Sequence, residues 1–267
     1  MHIVVCIKQI PDPEMAPSQF RIDEEAKTAL PWPGSSLVLS PFDGQAVEAA
    51  LRIREAQGEA KITVVCLGPE QARAAIKAGL ALGADEGVLL SDPAFEGGDG
   101  TTTAVTLARA IAKLAPVDLV LAGRQAADTD AGIVGCGVAE LLDIAAVTFA
   151  KDIRIEDGRV RVVRALAHGT ETVEAPLPAV VTVSHELGPP RHASLRETMR
   201  AARKPVEAWT AADLGLQPSE IGQAGARRIV ERLYVPTNDT ACEFVEGATA
   251  HEQATALVER LRLAEVL

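Results

Sequence analysis

The first half of the chain alternates short apolar runs with longer stretches of helical spacing. The apolar runs are rich in Val, Ile and Leu, as in strands buried on both faces of a parallel sheet; they are His2–Ile7, Ile62–Leu67, Gly87–Leu90 and Val117–Ala122. The stretches with helical spacing are Gln45–Ala56, Pro69–Leu82, Thr102–Leu114 and Ala131–Leu142. This repetition predicts an α/β fold with a doubly wound, mostly parallel sheet.

The pattern changes to apolar–polar alternation after residue 145. Asp157-Gly158 is a hairpin signal between alternating runs, which are Val147–Ala150, Ile153–Glu156, Val160–Arg164 and Glu171–Glu174. We expect an antiparallel hairpin extension over about 147–175, after which Val180–Val183 returns to the sheet. Residues 1–233 then form one α/β domain. Residues 234–267 form a C-terminal arm, irregular over Val235–Ala248 and helical over His251–Leu263.

Composition narrows the class of protein. A chain of 267 residues, 48% of them hydrophobic, is long enough for a buried core, and its net charge of −11 disfavours nucleic-acid binding. No apolar run approaches the roughly 20 residues of a membrane span. The amino terminus lacks a signal-peptide layout, so we expect a cytoplasmic protein. The four cysteines and five histidines have no metal-ligand spacing, and no nucleophile–base pair or acid–base dyad predicts a catalytic residue.

One polar link stands out, from Gly123 to Asp130, between a predicted strand and a predicted helix. Ligands bind at this edge of a parallel sheet, and a helix amino terminus suits a phosphate. Capping is the competing interpretation, because Asp128, Thr129 and Asp130 are all good helix starters. Capping does not explain two glycines, 132 and 135, inside the predicted helix, where each costs roughly 1 kcal/mol. From the residues alone both interpretations stay open.

Longer motifs carry a resemblance to a known family. The run at 123–142, GRQAADTDAGIVGCGVAELL, is very similar to the signature of the electron transfer flavoprotein β subunit. The family's other elements are matched in order by VVCIKQIPDPE at 4–14, SPFDGQAVEAALRIRE at 40–55, the stretch 66–92 and the stretch 178–209. Together these motifs span most of the chain.

The resemblance implies a heterodimer whose α subunit carries a redox-active FAD. The β subunit buries an adenine nucleotide, which is AMP in most members and a second FAD in an electron-bifurcating subgroup that oxidises NADH. The implied pocket comprises Cys6, Ser40, Pro41, Phe42, Asp43, Leu67, Gly123, Arg124, Gln125, Ala126, Ala127, Asp128, Thr129, Asp130, Ala131, Gly132, Ile133 and Val134. Ser40 departs from the usual asparagine, and Gly132-Ile133 from a more usual polar pair.

The stretch at 91–111, SDPAFEGGDGTTTAVTLARAI, bears on which nucleotide binds. It is similar to the bifurcating members, although Gly100 replaces a threonine. Asp99 and Thr103 would then lie near the extra phosphate, which favours FAD here and an electron carrier that oxidises NADH only within the αβ complex. An ordinary threonine-rich helix cap is the alternative. With AMP instead, the chain would belong to a single-flavin carrier.

The segment 189–205 is basic on an acidic chain. Five Lys or Arg against one Glu give a net charge of +4 between Arg191 and Lys204. Leu195 falls on the family's recognition-loop leucine, which implies docking of a flavin dehydrogenase through Arg191, Leu195, Arg196, Met199 and Arg200. A solvated helix face is the ordinary alternative.

A second class of protein fits the first half of the chain. A universal-stress-like adenine-nucleotide module shares the layered α/β style and predicts a self-sufficient homodimer. It leaves the basic segment around Leu195 and the C-terminal arm without a role.

Overall fold

A computed structural model of the chain describes residues 1–16, 20–30, 37–236 and 241–267. Its strands are β1 His2–Ile7, β2 Gln9–Pro11, β3 Arg21–Asp23, β4 Thr28–Leu30, β5 Leu37–Leu39, β6 Lys61–Leu67, β7 Glu86–Leu90, β8 Leu119–Gly123, β9 Ala145–Glu156, β10 Arg159–Leu166, β11 Gly169–Pro176, β12 Ala179–Val183 and β13 Glu207–Trp209. Its helices are α1 Pro41–Gln57, α2 Arg73–Leu82, α3 Gly100–Lys113, α4 Val134–Leu142, α5 Leu195–Arg203, α6 Gly222–Gly225 and α7 Ala250–Leu263.

Nine of these strands form one sheet in the order β11-β10-β9-β12-β8-β1-β6-β7-β13. Every neighbouring pair from β9 to β13 in that order is parallel, and the pairs β9–β10 and β10–β11 are antiparallel. The predicted α/β class, with a mostly parallel sheet and an antiparallel extension, is confirmed.

The central strands are buried on both faces, which explains their unbroken apolar runs. Along β1, Ile3, Val5 and Ile7 pack into one core layer with α1 and α2, while Val4 and Cys6 pack into the opposite layer with α3 and α4. Each such buried aliphatic side chain contributes about 1.5–3 kcal/mol relative to exposure. The two layers fix the carboxyl ends of β1 and β8 side by side.

Helix boundaries differ from prediction where proline and glycine act. α1 begins at Pro41, earlier than predicted, because proline suits the first helical position. Pro69 instead precedes a single 3₁₀ turn, and α2 begins only at Arg73. Gly83 ends α2, with a φ of 132°.

The hairpin extension is a three-stranded antiparallel ribbon. Asp157 and Gly158 turn β9 into β10 with φ values of 50° and 71°, as a tight hairpin turn requires. The runs predicted as two strands at 147–150 and 153–156 form the single strand β9, because β9 starts parallel to β12 and continues antiparallel to β10. The sequence pattern did not predict four three-residue strands, β2–β5, or the edge strand β13.

The described chain divides into two compact units, Met1–Arg232 and Leu233–Leu267. The described part of the second unit contains α7, whose first turn is capped by Thr249, and an ion pair between Arg260 and Glu243 at 2.5 Å. None of the helices in the described ranges has the length and apolar character needed to cross a membrane.

The four cysteines are free thiols in two environments. Cys6 and Cys66 are buried in the sheet, and burial raises the pKa of each thiol to about 12. Cys136 and Cys242 are exposed. The buried pair is therefore protonated at neutral pH and acts as part of the core.

Candidate functional site

The candidate site lies at the carboxyl edge of the sheet, where β1 and β8 end beside the start of α1. The carboxylate of Asp43, in the first turn of α1, accepts hydrogen bonds from the backbone N–H of Lys8 at 2.7 Å and of Gly123 at 3.2 Å. The N–H of Ser40 donates to the carbonyl of Lys8 at 2.9 Å. One buried carboxylate thus fixes the spacing of two strand ends.

The charge of Asp43 is sensitive to pH in the neutral range. Burial raises the pKa of this carboxyl to about 7, against the opposing effect of the two N–H donors. The nearby Asp128 carboxylate also raises the pKa, and Lys8 lowers it. Asp43 is therefore partly protonated at neutral pH, unlike an exposed aspartate.

Glycine is required at position 123 by packing. A Cβ there would lie 2.6 Å from Asp43 Oδ1 and 2.7 Å from Phe42 Cβ. The structure thereby brings together three residues predicted for the pocket, from two distant parts of the sequence. The other predicted members of this turn, Ser40 and Pro41, are buried and exposed respectively.

The loop after β8 is held in place by polar side chains. It is half-buried over 123–127 and exposed over 128–132. Lys8 Nζ pairs with the Asp128 carboxylate at 2.7 Å, and Gln125 Nε2 donates to Asp130 Oδ1 at 2.7 Å. At the start of the loop, the Arg124 guanidinium lies 5.3 Å from the centre of the Phe42 ring. The loop is therefore tied to both β1 and α1.

Helix α4 begins without a side-chain cap. Its N-cap residue is Ile133, so Asp128, Thr129 and Asp130 do not cap it, contrary to one of the two interpretations of the sequence. The predicted start at Ala131 is also wrong, because Asp130 and Gly132 have left-handed φ values of 49° and 64°. The first N–H groups of α4 and its positive dipole end are consequently available to an anion.

The two glycines that were predicted inside this helix lie in different settings. Gly132 precedes α4, so the cost of glycine inside a helix does not apply to it. Gly135 is inside α4, where a Cβ would lie 2.5 Å from Thr182 Cγ2 of β12. Close packing of helix on strand accounts for Gly135 without a ligand.

Helix α3 contrasts with α4 because a carboxylate caps it. Asp99 accepts hydrogen bonds from Thr101 N and Thr102 N at 2.9 and 3.0 Å, and from Arg227 N and Arg228 N at 2.9 and 3.1 Å. Although desolvation acts in the opposite direction, these N–H donors hold the pKa of Asp99 below its ordinary value. Asp99 therefore caps α3, as the alternative interpretation of this stretch predicted. The hydroxyl of half-buried Thr103 has no hydrogen-bond partner among the described residues.

The residues at this edge fit an adenine nucleotide. The Ser40 hydroxyl is fully buried and lacks a hydrogen-bond partner in the described chain, which is costly unless something else supplies one. Cys6, neutral and buried, and half-buried Leu67 lie on adjacent strands and offer apolar surface. A base, a hydroxyl-bonding group and an anion would each find a suitable group here.

Two surface depressions lie away from this edge. One surface depression is lined by Met1, Arg54, Gly58, Glu59, Ala60, Lys61 and Asp85, at the opposite edge of the sheet. Another lies between α1 and β9. Neither includes a residue predicted for the nucleotide pocket, so the chemistry of the carboxyl edge, rather than a cavity, identifies the candidate site.

Sequence analysis missed two parts of this edge. Lys8 is the first polar residue after the buried strand β1, a position that marks the carboxyl edge. Ser184 and His185 follow β12 and lie 3.4 and 3.5 Å from the Arg124 guanidinium. The rule that first polar residues after parallel strands share one edge would have found Lys8 and Ser184, and His185 is the next residue along the chain.

The predicted docking segment contains α5. Ser194 and Glu197 form a capping box, and Leu195 and Met199 are 78% and 55% exposed. Arg196 and Arg200 are exposed. Arg191 differs from them, because its guanidinium bonds Glu48 at 2.8 Å and Glu55 at 2.7 Å. This arginine is engaged within the chain.

A doubly wound α/β protein with an uncapped helix start at the carboxyl edge of its sheet is the class that fold and site define. Residues 34–214 match the electron transfer flavoprotein domain. The chain belongs to the electron transfer flavoprotein family, as its motifs predicted, and several of its relatives are named electron transfer flavoprotein subunit beta.

Three relatives illustrate this similarity. The chain is 40% identical over 268 residues to an electron transfer flavoprotein subunit beta of Thermoanaerobacterium thermosaccharolyticum, covering 100% of both chains. It is 39% identical over 262 residues to a caffeyl-CoA reductase–Etf complex subunit of Acetobacterium woodii, covering 98% of both. It is 32% identical over 278 residues to the protein FixA of Sinorhizobium fredii, covering 95% of both.

Proposed function

We propose that this chain is the β subunit of a heterodimeric electron transfer flavoprotein and binds a FAD at the carboxyl edge of its sheet. The complex passes electrons between a flavin dehydrogenase and other acceptors, with NADH as donor in flavin-based bifurcation. The proposed nucleotide site is supported by two unsatisfied features of the same edge: α4 begins without a side-chain cap, and the buried Ser40 hydroxyl has no hydrogen-bond partner among the described residues.

Each group of residues has a separate task in binding. The N–H groups at the start of α4 bind a phosphate, and Cys6 and Leu67 provide apolar contact for the adenine. Asp43 does not contact the phosphate in this arrangement; it sets the distance between the two strand ends that flank the nucleotide. The Lys8–Asp128 pair holds the loop over 123–133 against β1.

Two observations favour FAD over AMP. The stretch 91–111 follows the bifurcating pattern at Ser91, Asp92, Phe95, Gly97, Asp99, Thr103, Thr106 and Leu107. In the structure this stretch contains α3, which packs directly on α4, since a Cβ on Gly137 would lie 2.8 Å from Ala104 Cβ. A diphosphate bound at the start of α4 would therefore lie next to the start of α3, where Ile133 packs against Gly100.

The flavin supplies hydride acceptance and single-electron transfer, which no side chain can provide. The chain orients it, satisfies its phosphates and shields it from water. With AMP in the same place, this chain would instead support a single-flavin carrier, with AMP as a structural ligand.

Counting the bound nucleotides tests the proposal. The chain is co-expressed with its α subunit, the purified complex is denatured, and released FAD and AMP are separated by chromatography and quantified by absorbance. We expect two FAD and no AMP per heterodimer. One FAD with one AMP would replace bifurcation with single-flavin transfer, and a chain that purifies alone without nucleotide would overturn the heterodimer itself.

A further inference from the structure

A polar stripe on α1 forms hydrogen bonds with the segment that leads into α5. Gln45, Glu48, Arg52 and Glu55 are spaced three and four residues apart and so lie on one helix face. Gln45 Nε2 donates to the carbonyl of His185 at 3.4 Å, and Arg52 Nη1 donates to the carbonyl of Leu187 at 3.0 Å. These bonds fix the backbone between β12 and α5 on the surface of α1.

The strongest contact in this stripe joins Glu48 to Arg191. Glu48 is only 5% exposed, and its carboxylate accepts from Arg191 Nε at 2.8 Å, Arg191 N at 3.2 Å and Arg52 Nε at 2.9 Å. Although desolvation acts in the opposite direction, the two arginines hold the pKa of Glu48 below its ordinary value. A buried, charged and multiply bonded carboxylate defines one position for the chain just before Ser194.

The other end of α5 is held by α2. Lys77 Nζ donates to the carbonyls of Ala201 and Ala202 at 3.1 and 3.0 Å, and to that of Lys204. A cation at this place bonds carbonyls at the carboxyl end of α5 and complements its negative dipole end. The side chain of Ala201 is buried at the same contact.

Between these two attachments, α5 presents an unpartnered outer face. Leu195 and Met199 are flanked on one side by Arg196, Arg200 and Arg203, all exposed. This apolar pair with a basic flank suits a protein partner with an apolar pocket and an acidic rim. The face is fully formed in the free chain, although a helix of nine residues is marginal in isolation.

We propose that Glu48 and Lys77 are positioning residues for partner docking: by fixing both ends of α5, they present Leu195 in its binding conformation before the flavin dehydrogenase arrives. The inference rests on the proposed function and adds the device that organises its docking surface. Because a preformed helix need not be ordered on binding, association loses less conformational entropy. Loss of either attachment weakens docking while leaving the chemistry of the complex intact.

The test uses the heterodimer with two variants, Glu48→Gln and Lys77→Met, which act from different helices. Lys113→Met is the matched control, because Lys113 also donates to a backbone carbonyl, that of Asp213, but lies on α3. Hydrogen–deuterium exchange of α5 measures order. Steady-state electron transfer with a purified flavin-dependent acyl-CoA dehydrogenase gives KM for that dehydrogenase and kcat separately.

We expect both variants to speed exchange in α5 and to raise KM about tenfold, with kcat and flavin content unchanged. The control should match the wild type in all four readings. Unchanged exchange, or faster exchange at an unchanged KM, overturns the positioning role. If the wild-type complex transfers no electrons, the proposed function is wrong, and with it the role of Glu48 and Lys77 in docking. The exchange data would still show whether these two residues hold α5.

Discussion

Ile133 fills the space above Gly100, so the starts of α4 and α3 are in direct contact. A Cβ on residue 100 would lie 2.6 Å from Ile133 Cδ1 and 2.8 Å from its Cγ1. Both residues depart from the motifs that the sequence resembles, because the bifurcating pattern has a threonine at position 100 and a polar residue is more usual in the family at position 133. The Ile133 side chain occupies the space that a side chain at position 100 would need. The isoleucine therefore explains why glycine stands at position 100.

Gly100→Thr should therefore destabilise the chain by about 1–3 kcal/mol, since the new side chain overlaps Ile133. The double variant Gly100→Thr with Ile133→Ser should recover most of that loss, because serine vacates the overlapping volume. Urea unfolding of wild type, both single variants and the double variant forms a complete cycle. Additive effects in that cycle would contradict the contact.

Ser40→Ala should act in opposite directions with and without nucleotide. Without nucleotide we expect unchanged or slightly higher stability, because a buried hydroxyl without a described partner is removed. With nucleotide we expect binding weaker by about 1 kcal/mol, as one hydrogen bond to the ligand is lost. Calorimetric titration of the complex measures the second effect, and Ser219→Ala, at an exposed position, is the control.

Asp43 should make stability decrease as the pH rises. Its pKa is about 7 in the folded chain and near its ordinary 3.8 in the unfolded chain, so its contribution is complete below about pH 4 and is lost as the pH rises through 7. Relative to Asp43→Asn, the wild type should lose about 2–3 kcal/mol of unfolding free energy between about pH 5 and pH 8. The constant cost of the lost hydrogen bond cancels in this comparison. Parallel pH profiles for the two proteins would show that Asp43 does not titrate in this range.

Leu195→Ala should slow electron transfer with the dehydrogenase without releasing nucleotide. The side chain is 78% exposed, so the fold loses little, whereas a central apolar anchor in a docking surface is worth about tenfold or more in kcat/KM. Leu166→Ala, at an exposed leucine of the hairpin extension, serves as the control. Partner kinetics that match the wild type would exclude Leu195 as an anchor.

Much of the fold could be predicted from the periodicity of apolar residues and from the residues that favour turns. Runs such as Ile62–Leu67 predicted buried strands, and Asp157-Gly158 marked its turn without further information. The family followed from motifs spread along the chain. The three-residue strands were not predictable, because so short a segment carries no measurable period and forms only by pairing with a distant partner.

The detailed site depended on tertiary contacts that local sequence does not encode. Asp128 is a good capping residue, yet it pairs with Lys8, 120 positions away in sequence. Arg191 lies in a basic segment and was predicted to contact a partner protein, yet its guanidinium forms an ion pair with Glu48. In both cases the sequence indicated that the polar residue was important. Its hydrogen-bond partner is determined by the packing of helices and strands that are distant in sequence.

The separation of the four thiols gives the chain a chemical reporter. The buried Cys6 and Cys66 are protonated and shielded, so an alkylating reagent applied to the folded protein reaches Cys136 and Cys242 instead. Cys136 lies in the first turn of α4, where the proposed phosphate binds. We expect its alkylation rate, measured by mass spectrometry, to fall when the nucleotide site is filled, with Cys242 as an internal reference on the same chain.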